Sequence, residues 1–286
     1  GDTDNASFTV DGTSLKTAAS LDYETKNSYS IRLNVNDGSN DFAKSFTIAI
    51  TDLNETPTDL TLSATSIAEN SANGTEVGTL SATDPDSGDT FTYSLVSGTG
   101  DTDNASFTVD GTSLKTATSI DFETKNSYSI RLNVNDGVND FAKSFTLTIT
   151  DVNETPLANA QSVTTVEDIP LEITLTGSDE DGDALTYSIV DNPSNGTIAL
   201  DGSKATYTPN SGYFGSDSFT FKVNDGTVDS EKETISITVT SNDLDEDGVL
   251  NDVDECPNTP AGTVVNLKGC AIFTLPANNN KVEITS

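Results

Sequence analysis

The residues of this sequence that could do chemistry are carboxylates, and they fall in short recurring clusters. Between residues 58 and 156 they are Glu69 in IAEN, Asp84 and Asp86 in ATDPDSGD, Asp121 and Glu123 in IDFE, Asp136 in VNDG, and Asp151 to Glu154 in DVNE. Further along, DLDEDGVLNDVDEC places Asp243, Asp245, Asp247, Asn251 and Asp254 at loop positions 1, 3, 5, 9 and 12, with Gly248 at 6 and Val249 at 7. That is the spacing of a calcium loop: oxygen-bearing side chains alternate, Gly takes the sharp turn, and the residue at position 7 offers its backbone carbonyl. Calcium is a hard cation that gathers about six to eight oxygens from carboxylates, amides and carbonyls. Asp and Asn also favour turns, and that explains any single DPDSGD or VNDG. It does not explain two carboxylates inside LDYE or IDFE, nor the order in which the clusters recur.

Composition removes most other chemistries. The chain has no His, Trp or Met, so the usual general base, the usual zinc ligand and the Ser-His-Asp triad are absent together. Paired carboxylates could serve a glycosidase, but here they flank domain ends and lack an aromatic-lined cleft. We therefore expect no enzyme. A formal charge of -33, from 46 acidic and 13 basic residues, argues against a nucleic-acid partner and implies self-repulsion unless counter-charge is bound. No apolar run approaches the ~20 residues of a membrane-spanning helix.

The elements that must position these groups are strands. SYSIRLNVND alternates, with Tyr29, Ile31, Leu33 and Val35 on one face and Ser30, Arg32 and Asn34 on the other, while Phe46, Ile48 and Ile50 continue the inward set after an NDGSND turn. Residues 1–57 recur at 100–156 with seven substitutions, at a constant offset of 99 residues. A period of that size means tandem sandwich domains rather than a solenoid. Residues 58–156 yield strands near Leu60–Ala68, Glu76–Thr83, Phe91–Leu95, Ser106–Val109, Ser113–Thr118, Tyr128–Asn135 and Phe141–Thr150, the count of an immunoglobulin-like sandwich. We expect an all-β chain of seven-strand Greek-key sandwiches in a linear array. Its parts are the C-terminal part of a domain at 1–57, a complete domain at 58–156, a shorter domain at 157–241, an irregular calcium-loop module at 242–272 and the start of a further β domain at 273–286. The first part exposes its core face unless strands from elsewhere cover it. The expectation is a window on a longer array.

The ordered carboxylates resemble the calcium motifs of cadherin repeats, in which an AEN-type Glu, a DxD pair, an LDRE-type pair, an A-x-D-type Asp and a DxNDN linker follow in that order. The resemblance implies calcium between successive domains. Carried over, the first junction uses Asp22, Glu24, Asp52 and Asn54 with Asp84, Asp86 and Asp136, and the second uses Glu69, Asp121, Glu123, Asp151 and Asn153 with Asp179, Asp181 and Asp225. Glu55 and Glu154 stand where the family has Asp, and Thr56 and Thr155 where it has a second Asn. The third unit keeps Glu167 in VEDI but has no LDRE-type pair, so its far end departs from the pattern. The segment DLDEDGVLNDVDECPNTPAGTVVNLKGC resembles a bacterial thrombospondin type 3 repeat. That resemblance implies a Cys256–Cys270 disulfide, worth about 3 kcal/mol by chain entropy and suited to an oxidising, extracellular setting. Two buried free thiols are the alternative.

The combination resembles the giant surface proteins of gliding bacteria exported by type IX secretion. It implies a calcium-rigidified extracellular stalk of a cell-surface adhesin, with neighbouring domains of the same chain as its partners. Direct binding of surface glycans or of like domains is the alternative. The absence of Trp and the inward placement of most of the seven Tyr argue against a sugar platform.

Overall fold

The computed structural model describes residues 2–272 apart from 244, 246 and 252, and the further β domain expected at 273–286 lies outside the described residues. The chain divides into two compact units, residues 1–152 and 153–286. The regular structure of both is almost wholly strand.

In the first unit, the alternation read from the sequence produces two hairpins, β1 (Phe8–Asp11) with β2 (Ser14–Thr17), and β3 (Ser28–Asn36) with β4 (Asp41–Ala49). The second copy contains the same hairpins as β9 (Phe107–Asp110) with β10 (Ser113–Thr116) and β11 (Ser127–Asn135) with β12 (Asp140–Thr150). Four preceding strands complete it: β5 (Asp59–Leu62), β6 (Ser66–Ala68), β7 (Glu76–Thr83) and β8 (Thr92–Leu95). The sheets run β5-β7-β10-β9 and β6-β12-β11-β8. Leu60, Leu114, Ile130, Leu132, Val134 and Leu147 are fully buried between them. Each such side chain contributes about 1.5–3 kcal/mol by leaving water.

One expectation needs correction. The single strand expected over Leu60–Ala68 is two strands in different sheets. Ser63 N–H bonds to Thr79 O at 3.0 Å and Thr148 N–H to Thr65 O at 2.8 Å, so the chain crosses from β7 to a parallel pairing of β6 with β12. Val35 and Phe46, expected inward, are 64% and 40% exposed, whereas Val134, the counterpart of Val35, is fully buried. Their side chains point inward, but no described strand covers the face of the first copy.

The second unit forms another sandwich. One sheet is β14 (Gln161–Val166), β21 (Glu233–Thr240), β20 (Gly215–Asn224) and β17 (Thr186–Asp191); the other is β15 (Leu171–Thr174), β19 (Lys204–Pro209) and β18 (Gly196–Asp201). A short pair, β13 (Leu157–Ala158) with β16 (Gly177–Ser178), sits at its start. Tyr207, Phe219, Phe221, Val223 and Ile235 fill the core. Tyr207 Oη donates to Asp217 Oδ2 at 2.9 Å, and Asp217 also accepts the Ser194 and Asn195 N–H groups, which anchors the loop before β18. Burial first, then the Asp217 hydrogen bond, pushes the Tyr207 phenol well above its ordinary range.

Gly196 lies against this tyrosine. A Cβ there would overlap the Tyr207 ring and stand 2.7 Å from Thr208 O. Gly196→Ala is therefore expected to destabilise this sandwich by about 1–3 kcal/mol, read as a fall in its urea midpoint with unchanged slope.

Residues 241–272 carry little regular structure, with one isolated bridge between Val265 and Ala271 and a disulfide between Cys256 and Cys270.

Candidate metal centres

At the end of the first copy, Glu24, Asp52, Glu55 and Asp86 each present a carboxylate oxygen within 4.8 Å of the others. Glu24 sits in the turn before β3, Asp52 and Glu55 follow β4, and Asp86 belongs to the DPD loop after β7. Asp84 and Asp89 join Asp86 in an adjoining group, so Asp86 is common to both. Oxygens sharing one calcium ion at about 2.4 Å lie no more than about 4.8 Å apart, which these groups satisfy.

Backbone hydrogen bonds fix the arrangement. Glu55 N–H donates to Asp86 Oδ2 at 2.7 Å and Asp86 N–H to Asp84 Oδ1 at 3.0 Å. Asn54 Nδ2 donates to Asp136 Oδ2 at 3.0 Å, while Asp136 Oδ1 caps the VNDG turn through Val138 and Asn139 N–H. What remains is decisive for the donor set: Glu55 Oε2, Asp84 Oδ2, Asp86 Oδ1 and Asp89 Oδ2 are buried with no hydrogen-bond donor. Burying a carboxylate oxygen without a donor or cation is costly. Burial and the charges of Glu24 and Asp86 push the Glu55 carboxyl up, and burial with Asp86 and Asp84 does the same to Asp89.

Asp22 lies in the same turn as Glu24 but outside this cluster. Its two oxygens accept Thr25 N–H and Oγ1, which hold its carboxyl below the usual range. Asp121 does the same with Thr124 in the second copy.

The far end of the second domain repeats the pattern within residues 1–152. Glu69, only 4% exposed, accepts Phe122 N–H at 2.7 Å and Val152 N–H at 2.8 Å, tying the IDFE turn to the chain leaving β12. Glu69, Glu123 and Asp151 bring carboxylate oxygens within 4.8 Å.

Within residues 153–286, the start of the sandwich copies the first linker. Asn153 Nδ2 donates to Asp225 Oδ2 at 2.9 Å, Glu154 N–H donates to Asp181 Oδ2 at 3.0 Å, and Asp225 Oδ1 caps its turn through Thr227 and Val228 N–H. Asp179 Oδ2 and Asp181 Oδ1 are buried without a donor, as their counterparts Asp84 and Asp86 are. At the other end, Glu167 Oε1 accepts Asn242 N–H at 2.7 Å and Ser241 Oγ, so it clamps the exit of β21 even without an LDRE-type pair.

In the last module, Asp243, Asp245 and Asp247 form a fourth carboxylate group. Gly248, at φ +90°, turns the loop and donates its N–H to Asp243 Oδ2, while Val249 N–H donates to Asp247 Oδ1. Asn251 is held through its backbone N–H to Asn242 O. Asp254 Oδ1 accepts Cys256 N–H and Asp245 Oδ2 accepts Thr259 N–H, which joins the acidic loop to the disulfide loop. Asp243 Oδ1, Asp245 Oδ1, Asp247 Oδ2 and Asp254 Oδ2 are buried without donors. Burial, with the charges of Asp245, Asp254 and Asp243, pushes Asp247 up against the lowering effect of the Val249 N–H.

Sequence reasoning left Asp89 and Thr259 out of the sites, and it noted Glu55 only as a departure. The third Asp of DPDSGD was the available signal for Asp89. Gly269 was also missed: a Cβ there would overlap the Asp254 carboxylate, at φ +74°.

Protons and a cation compete for these oxygens. Glu55 and Asp89 keep their protons to higher pH than ordinary carboxyls, so their contribution to stability is full at low pH and is lost as pH rises through and beyond about 4–5. Asp22 and Asp121, held low, contribute in the opposite sense, with stability present above that range and lost as pH falls. The calcium-dependent part isolates the first group. The gain in melting temperature on adding calcium is expected to be near zero at about pH 4 and complete by about pH 6–7, checked by melts with calcium and with chelator at each pH. An equal gain at both pH values would count against carboxylate ligation.

Comparison with known proteins fits this geometry. Residues 63–153 match the cadherin domain family. Residues 153–238 match the bacterial Ig domain family. Among solved structures, the chain is similar to extracellular cadherin domains 1–5 of protocadherin gamma B2, with 19% identity and a TM-score of 0.61, covering 84% of this chain and 51% of that one. Domains EC1–3 of mouse protocadherin-24 align with 18% identity and a TM-score of 0.58, over 82% of this chain and 87% of that one. These likenesses show a tandem cadherin-like fold. A curated relative, alpha-agarase of Thalassotalea agarivorans, is 59% identical over 34 residues, which span 12% of this chain and 2% of the enzyme. No described helix is long and apolar enough to cross a membrane.

Proposed function

We propose that this chain is a segment of an extracellular stalk, stiffened by calcium, in a large bacterial surface adhesin. The observation that carries the reading is the first junction, where Glu24 and Asp52 of one copy, Glu55 of the linker, and Asp86 of the next converge with buried, donorless oxygens among them. A single domain has no use for such convergence; a junction that must resist bending does.

Glu24, Asp52, Glu55, Asp84, Asp86 and Asp89 would hold the ion there, with Asn54 and Asp136 positioning the linker. When bound, calcium neutralises these carboxylates and ties the two domain ends together. Without it, their mutual repulsion favours separation of the two ends. Glu69, Glu123 and Asp151 supply a comparable set at the far end of the second domain, and Asp243, Asp245, Asp247 and Asp254 supply one in the last module, which we read as a thrombospondin type 3-like repeat. Sites of this extracellular kind bind at about 0.1–1 mM.

The bacterial Ig match supports a bacterial source, and the cadherin-like fold supports an extracellular, adhesive and non-catalytic role. The short agarase match carries no substrate across. The tyrosines are buried or half-buried, which speaks against a tyrosine platform for sugar. Small-angle scattering with about 2 mM calcium and with excess chelator tests the proposal. An extended rod that becomes a flexible ensemble on chelation supports it, and identical profiles overturn it.

A further inference from the structure

Only Ser241 and Asn242 separate β21 from the acidic loop, and Glu167 engages both of them. Glu167 N–H donates to Thr240 O at 2.9 Å and its Oε1 accepts Asn242 N–H at 2.7 Å, as Glu69 N–H donates to Thr150 O at 3.1 Å and its Oε1 accepts Val152 N–H at 2.8 Å. Ser241, Asn242 and Asp243 therefore stand in the register of Asp151, Val152 and Asn153. Asn153 sends its amide to Asp225 of the sandwich it precedes, whereas Asp243 opens the acidic loop. The loop begins at the place in the linker where a sandwich is otherwise received.

We propose that Glu167 is a positioning residue for this loop, so that the loop and the exit of the sandwich order as one cooperative unit. The inference rests on the calcium reading of the last module. Asn242 is the shared group: its N–H goes to Glu167 and its carbonyl accepts Asn251 N–H at 2.8 Å, which ties the sandwich to loop position 9. Ser241 ties it to position 1, because its Oγ donates to Glu167 Oε1 at 3.1 Å and accepts Asp243 N–H at 3.0 Å. Two loop positions that must close on one ion are thus set from a single carboxylate.

The exchange of Asp151 for Ser241 decides how this exit is held. Asp151 shares a carboxylate group with Glu69 and Glu123, an arrangement that calls for a cation. Ser241 gives Glu167 a hydroxyl donor instead, and the contact holds without metal. Among the described residues Glu167 belongs to none of the carboxylate groups, so it acts on the loop through Ser241 and Asn242 rather than on the ion. Hydrogen bonds to a charged acceptor are the strong ones, and losing a partner that orients metal ligands lowers affinity by about 10–100-fold. Linkage makes the effect mutual: calcium on the loop must hold the Glu167 contacts by the same factor.

Residue-resolved NMR of the whole chain during a calcium titration tests the proposal. The Gly248 and Asn251 amides are expected to shift with a midpoint at about 0.1–1 mM. Glu167→Ala is expected to raise that midpoint about 10-fold, and to speed exchange of the Asn242 and Asn251 amides in chelator, while β20 and β21 stay protected. Ser241→Ala leaves Glu167 in place, breaks only the tie to position 1, and is expected to raise the midpoint severalfold. Glu172→Gln removes the same charge from a β15 side chain paired with Lys204, and is expected to leave the midpoint unchanged. Unchanged midpoints in Glu167→Ala and Ser241→Ala would overturn the coupling alone. Gly248 and Asn251 amides that ignore calcium in the original chain would overturn the calcium reading of the module, and the coupling with it.

Discussion

Transfer from about 2 mM calcium to excess chelator is expected to lower the melting temperature of the second domain by about 10 °C for each ion released. The figure follows from linkage. A site with a dissociation constant of about 0.1 mM, filled at about 2 mM, adds about 1.8 kcal/mol to the folded state. For a domain of this size, 1 kcal/mol moves the midpoint by about 4–8 °C. Asp86 supplies the sharper version, because it belongs to both carboxylate groups of the first junction. Asp86→Asn keeps an acceptor for Glu55 N–H but removes a charge. It is expected to destabilise the domain in calcium and to be neutral or stabilising in chelator, where one repulsive charge fewer remains. Calorimetry of both proteins in both buffers reads the inversion. A variant equally destabilised in both would make Asp86 an ordinary turn residue.

Much of this arrangement was legible in the residues themselves. The alternation of Tyr128, Ile130, Leu132 and Val134 maps onto a buried face because strand geometry has a fixed period of two. The AEN, DxD, IDFE and VNDG clusters fall at strand ends because Asp, Asn and Gly favour the turns between strands. What the sequence hid were features that depend on distant chain. The crossing at Ser63–Thr65 is set by which strand accepts each backbone group, and LTLSATSIA alternates well enough to pass for one strand. Asp89 reads as a turn residue until the DPD loop folds back and brings its oxygen near Asp84 and Asp86. Asp22 and Asp121, named by motif position alone, are each held by a threonine three residues on, which donates to both oxygens. Gly269 gave no local signal, since the Asp254 carboxylate it accommodates is 15 positions away.

The largest contrast expected from single substitutions lies between Val134 and Val35. The two occupy the same place in the segment SYSIRLNVNDG, on strands with the same hairpin partner and register. Local propensity, turn chemistry and sequence neighbours are therefore common to both, and only tertiary burial differs. Val134 is fully buried opposite Tyr93, and Val35 is 64% exposed. Val134→Asp places an unpaired charge in the core of the second domain, where desolvation exceeds anything a neighbouring group can return, and a loss of more than about 4 kcal/mol is expected, enough to unfold a marginal domain. Val35→Asp leaves its carboxylate in water, so a change within about 0.5 kcal/mol is expected in the same chain. Denaturant unfolding of both variants measures the difference. A large loss from Val35→Asp would show that its face is already covered in solution, and would assign the cover to another molecule of the same chain. A small loss from Val134→Asp would contradict the closed core on which the second domain, and the carboxylates at its two ends, depend.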